Sequence, residues 1–240
     1  MHCKHKLLRR FQYAVARITV IFAVALSVSC PTYSQRVFMT GDSHVAGKIY
    51  PETVKEVLTR EQPEIEFSYW GKNGASFNSF NESREQMNII YDADPDVLVV
   101  NLGTNDSYST NFDEERFTKN VAIFYNNIQS NLPGCAIVFI TPFYNKNKAK
   151  GTGKWTVNEN TRICADALID FAFNHHNVYI IDNNAFTELE FIEGDGLIRD
   201  DNVHLTVAGY KMLGQDVANA LLDFSGLLNE EESDIFSDDF

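Results

Sequence analysis

Five short apolar runs, each followed by a longer stretch with helical spacing, constrain this 240-residue chain more than any other feature of it. The runs are Arg36 to Thr40, Ile65 to Tyr69, Val97 to Asn101, Ala136 to Ile140 and Val178 to Ile181. The stretches with helical spacing are Pro51 to Arg60, Asn78 to Tyr91, Asp113 to Asn131, Asn158 to Phe173 and Thr206 to Phe224. Such alternation implies βαβ units and a parallel sheet with helices on both faces. Val97-Leu98-Val99-Val100 and Ala136-Ile137-Val138-Phe139-Ile140 do not alternate between apolar and polar, as expected of strands buried on both sides. The pattern predicts a three-layer α/β/α, flavodoxin-like doubly wound sheet of five parallel strands in the order 2-1-3-4-5. In such a sheet the ligand crevice lies at the carboxyl ends, where the strand order reverses.

Ahead of the first run stands a segment of different character. Lys4, Lys6, Arg9, Arg10 and Arg17 precede a mostly apolar stretch from Ile18 to Val28, the build of a signal peptide covering residues 1–34. A membrane-spanning helix needs roughly 20 apolar residues, so an integral span is not expected. Small residues before Gln35 suit a signal peptidase, and Cys30 is the competing site, where a lipid anchor would attach. Export in soluble form, to the periplasm or beyond, and an outer-membrane lipoprotein are thus both open. One domain is expected from Gln35 to Leu228, followed by a mobile acidic tail over 229–240 that holds Glu230, Glu231, Glu232, Asp234, Asp238 and Asp239.

The full chain carries a formal net charge of −13, and loss of the five basic leader residues makes it more negative. Nucleic acid and anionic membrane surfaces are therefore not expected as partners. Cys135 starts a strand and Cys164 lies within a helix, so they are expected as two buried thiols, with a disulfide as the alternative. No metal or cofactor is expected. His175-His176 fall in a polar turn, and His2 and His5 belong to the leader.

Chemistry is therefore sought just after each strand. The first runs into Gly41-Asp42-Ser43-His44, a hydroxyl on a tight turn entering a helix, which suits a nucleophile, although Asp-Ser taken alone in this position is more often a helix cap. The second is followed by Gly71-Lys72-Asn73-Gly74-Ala75 and the third by Gly103-Thr104-Asn105-Asp106. Both have the composition of loops with left-handed glycines. They also place two hydrogen-bond donors, the Gly74 backbone N–H and the Asn105 amide, where an oxyanion would be held. The last loop carries Asp201-Asn202-Val203-His204, in which a carboxylate can fix the tautomer of a basic imidazole, or cap a turn beneath a surface histidine.

Taken together, a Ser, a Gly, a Gly-x-Asn and an Asp-x-x-His in this order resemble the SGNH (GDSL-like) hydrolase superfamily, whose four blocks carry Ser, Gly, Asn and His. The resemblance spans the domain and includes the continuation Leu205-Thr206-Val207-Ala208-Gly209-Tyr210. It departs at His44, where the eponymous motif has Leu; we read His44 as a packing or hydrogen-bonding residue. The 182–202 connection is long for a compact domain. It is accounted for if the chain crosses back over the carboxyl ends to bring His204 to Ser43, and the resemblance implies the same route.

The resemblance implies a serine esterase in which Ser43, Asp201 and His204 are catalytic and Ser43, Gly74 and Asn105 form the oxyanion hole. Exported bacterial O-acetylesterases of peptidoglycan or polysaccharides are the members most similar to these blocks, so the expected partner is an acylated glycan or small ester. A lipase, arylesterase or thioesterase, or a non-catalytic glycan-binding module, are the other readings. Phe80, Phe143, Tyr144 and Trp155 are candidates for a sugar-stacking rim or for core, with core favoured for most.

Overall fold

The computed structural model describes residues 34–109, 111–143, 157–185, 196–201 and 203–234. The leader, Tyr144, Trp155, Asn202, much of the return segment and the last six residues of the tail lie outside the described residues.

The strands β1 (Arg36–Gly41), β2 (Glu66–Gly71), β3 (Val97–Asn101), β4 (Ala136–Ile140) and β5 (Val178–Ile181) form one parallel sheet in the order β2-β1-β3-β4-β5, as predicted. Successive side chains on a strand point to opposite faces. Met39, Val99 and Val138 enter one core, where α2 (Ile49–Glu61) and the closing helix α8 (Val207–Asp234) contribute Val54, Leu58, Leu213 and Val217. Phe38, Leu98 and Phe139 enter the other, packed by Phe77 of α3 (Phe77–Glu82), Ile90 of α4 (Arg84–Ala93), Phe124 of α6 (Glu114–Asn131) and Leu168 of α7 (Val157–Phe173). Both faces are covered, which is why β4 is apolar throughout and β3 is apolar up to Asn101 at its carboxyl end.

The predicted helix over 78–91 is two helices. Ser83 ends α3 with its backbone N–H on Phe80 O at 3.1 Å and starts α4 by accepting from the Gln86 N–H through its hydroxyl at 3.3 Å. A serine serves both ends because its side chain competes for backbone partners. The closing helix runs to Asp234, beyond the predicted Phe224. Two four-residue helices, α1 (Ser43–Ala46) and α5 (Thr104–Ser107), follow β1 and β3 directly.

Close packing at the carboxyl ends depends on glycine. A Cβ on Gly41 would lie 2.5 Å from Asn101 O, and one on Gly71 would lie 2.4 Å from Ala46 N. Without side chains at these two positions, α1 sits directly on the strand ends. Cys135 and Cys164 are both buried free thiols. Among the described residues no helix is long and apolar enough to cross a membrane.

Candidate active site

Asp42 shapes the turn that carries Ser43. Its buried carboxylate accepts from the His44 backbone N–H at 3.0 Å, capping α1 and leaving the half-buried Ser43 at the first helical position. The cap of the Asp-Ser pair is thus Asp42, and Ser43 stands at the start of the helix it caps.

Ser43 Oγ lies 2.9 Å from His204 Nε2, and His204 Nδ1 lies 2.9 Å from Asp201 Oδ2. A carboxylate only accepts, so Nδ1 holds the ring proton and Nε2 is the acceptor for the serine hydroxyl. Asp201 Oδ1 also accepts from the backbone N–H of Val203 at 2.9 Å and of His204 at 2.8 Å. Partial burial pushes the Asp201 carboxyl up, but these amide bonds and the His204 ring outweigh it and bring its pKa down to about 2.

The base reaches Ser43 on a pinned segment. Arg199 N–H donates to His204 O at 2.8 Å and Thr206 N–H to Leu197 O at 2.9 Å, with Ile198 and Leu205 paired antiparallel between them. Where the return path begins, the Asn184 N–H donates to Thr141 Oγ1 at 2.9 Å, tying it to the end of β4. The described ends of the crossing therefore lie at the carboxyl side of the sheet, as the spatial requirement on His204 demands.

Gly74 and Gly103 both have positive φ, 75° and 113°, and their loops bring Asn105 in beside the nucleophile turn. Asn105 Nδ2 donates to Ala75 O at 2.9 Å and to Asp42 Oδ2 at 3.3 Å. The amide expected to face an oxyanion is therefore held between the β2 loop and the cap of α1.

The motif blocks hold two further carboxyls, Asp42 and Asp106. Burial raises the Asp42 pKa to about 7. Desolvation raises that of Asp106 to about 6, against the hydrogen bond it accepts from Phe77 N–H at 3.3 Å. Both therefore hold protons much more readily than surface carboxyls do.

His44 is buried, and burial, reinforced by the nearby His204, drives its pKa down to about 3. Its Nδ1 lies 2.9 Å from Tyr210 Oη, and its ring sits edge-on to Phe143 with centroids 4.4 Å apart. The packing and hydrogen-bonding reading of His44 is the one the geometry bears out. Phe80 and Phe143 are core residues, 0% and 4% exposed, and not a sugar rim.

Among the described residues no three His, Cys, Asp or Glu side chains converge as metal ligands. The profile of the GDSL-like Lipase/Acylhydrolase family matches residues 39–212, most of the chain. The chain belongs to this family. No curated protein matches it. Solved structures similar to this GDSL-like domain include a peptidoglycan O-acetylesterase (TM-score 0.65, 12% identity, covering 81% of this chain and 92% of that one). Another is the acetyl xylan esterase AlAXEase (TM-score 0.62, 18% identity, 77% and 98% covered). A third is LAE5, an alpha/beta hydrolase enzyme from the metagenome of Lake Arreo, Spain (TM-score 0.65, 15% identity, 80% and 95% covered). At these identities the likeness is one of fold, and the GDSL-like domain here spans nearly the whole of each.

A cleft of about 380 Å³ opens beside Gly74 and Asn105. Its lining includes Asn78, Asn120, Ser109 and Arg116, the acidic Asp106 and Asp113, the half-buried Phe112 and the buried Phe117. These residues come from the first turn of α3, from α5 and the segment after it, and from the first turns of α6, and no local sequence pattern joins them.

Proposed function

We propose that the protein is an exported serine esterase that removes small acyl groups, O-acetyl above all, from a carbohydrate or cell-wall glycan. The observation that carries the hydrolytic part is the unbroken chain Asp201–His204–Ser43, with both links at 2.9 Å. His204 takes the Ser43 proton as the hydroxyl attacks the ester carbonyl, and Asp201 stabilises the imidazolium. The tetrahedral oxyanion is held by the Ser43 and Gly74 N–H groups and by Asn105, whose longer bond, to Asp42 at 3.3 Å, gives way to it. His204 returns its proton to the leaving alcohol. Water, activated by the same base, then releases the acid from the acyl-enzyme. These steps need no cofactor.

The glycan part rests on the cleft. Amides, hydroxyls, carboxyls, a guanidinium and one half-exposed ring suit the hydroxyls and apolar faces of sugar rings, whereas a long acyl chain would call for an apolar lining. The names of the peptidoglycan and xylan acetylesterases among the structural relatives point the same way, and the basic-apolar leader supports export. The test is acetate release by the mature protein from O-acetylated peptidoglycan and acetylated xylan, beside p-nitrophenyl esters of increasing chain length. Release from a glycan with a preference for acetyl supports the proposal. A preference for long chains and no release from either glycan favours a lipase or thioesterase.

A further inference from the structure

His44 directly follows the nucleophile, and Tyr210 lies in the first turn of α8, into which the His204 segment runs. Their 2.9 Å hydrogen bond therefore ties the turn bearing Ser43 to the segment bearing its base, alongside the Ser43–His204 bond itself. Both side chains are buried, 1% and 4% exposed, and Tyr50 stacks on Tyr210 with centroids 6.4 Å apart. The His44 ring also lies 5.4 Å from the His204 ring, centroid to centroid.

This arrangement is not what stability alone would select. His44 Nε2 is buried with no hydrogen-bond partner among the described residues, and an unmet polar atom in a core is a cost that a leucine would not carry. The Tyr210 hydroxyl thus joins the residue next to the nucleophile to the first turn of the helix that follows the base. A neutral imidazole has one ring nitrogen that accepts, so Nδ1 is able to take the hydrogen bond of that hydroxyl.

We propose that the His44–Tyr210 hydrogen bond is a positioning strut that sets the alignment of Ser43 with His204, and so enters the rate of acyl transfer but not substrate affinity. The proposal rests on the serine-esterase reading of the same site. Neither residue touches the reacting atoms.

The experiment compares wild type, His44→Leu, Tyr210→Phe, the double variant and His44→Asn on p-nitrophenyl acetate, with thermal melts to fix the folded fraction. Each of the first two single changes is expected to lower kcat on the order of tenfold with KM unchanged, because a small misplacement of reacting groups is felt in the chemical step. The double variant should fall no further than the worse single, since both changes remove one bond. His44→Asn keeps an acceptor near the place of Nδ1 and should recover most of the rate. Wild-type kcat in both singles, additive losses in the double, a rise in KM without loss of kcat, or no recovery with His44→Asn would overturn the strut while Ser43-dependent turnover stands. Wild-type protein with no Ser43-dependent turnover would instead overturn the esterase reading, and the strut with it.

Discussion

Asp201 holds His204 twice, through the ring at 2.9 Å and through the backbone N–H at 2.8 Å, so one carboxylate fixes both where the imidazole sits and which of its nitrogens carries the proton. Asp201→Asn can keep the backbone cap but offers an amide N–H or a weaker acceptor to Nδ1. Its kcat should drop on the order of 100-fold or more, with the melting temperature little changed. Steady-state kinetics with a short ester checks this, and a loss below threefold would leave Asp201 as a turn cap alone. The carboxyl, held at about 2 against an ordinary 3.8, stabilises the fold above the higher value, and that contribution is lost as pH falls through the lower one.

How far Asn105 serves the oxyanion is read from Asn105→Ala, for which a loss in kcat on the order of 100- to 1,000-fold is expected. Gly74→Ala makes the contrasting case. Its N–H remains and its Cβ meets nothing within 4 Å, but φ is +75°, so stability should fall by about 1 kcal/mol with kcat within a few fold of wild type. Urea unfolding beside the kinetics separates the two. A near-normal Asn105→Ala rate would remove that side chain from the oxyanion site.

The five strands were legible because burial on both faces leaves an unbroken apolar signature, and the motif blocks because turn residues cluster after strands. What was not legible has physical reasons. Ser83 divides a helix with no proline or glycine to announce it, and α1 and α5 are too short to show periodicity. The contact of His44 with Tyr210 spans 166 positions and the cleft draws on three separate segments. Asn105 was legible as a donor, but its engagement with Ala75 and Asp42 was not, because that depends on how two loops meet.

The buried His44 predicts an acid-sensitive term in stability. Its folded pKa of about 3 lies below the ordinary 6.5, so as pH falls through 6.5 the unfolded chain takes up a proton that the native state refuses, and stability is lost. Asp42 and Asp106 work in the opposite sense. Their raised values of about 7 and about 6 give stability that is complete at low pH and is lost as pH rises from 3.8 through those values. His44→Leu removes the histidine term alone. Between pH 7 and pH 5 its unfolding free energy should therefore change more favourably than that of wild type, by about 2 kcal/mol. Denaturant titrations at both pH values test this, and identical changes in the two proteins would contradict it.

For the cleft, Phe112→Ala and Arg116→Ala should each raise the ratio of KM on an acetylated glycan to KM on p-nitrophenyl acetate severalfold, since a small ester does not fill a volume of about 380 Å³. An unchanged ratio on every glycan that the protein deacetylates would place the sugar elsewhere.

The nucleophile itself is tested most directly by treating the mature protein with a fluorophosphonate and locating the adduct by mass spectrometry, with acetate release measured on the same samples. A single adduct on Ser43 is predicted, absent from Ser43→Ala, with turnover in that variant lower by a factor on the order of 10,000 or more. An adduct on another residue, or a Ser43→Ala protein that turns over ester at the wild-type rate, would contradict the account.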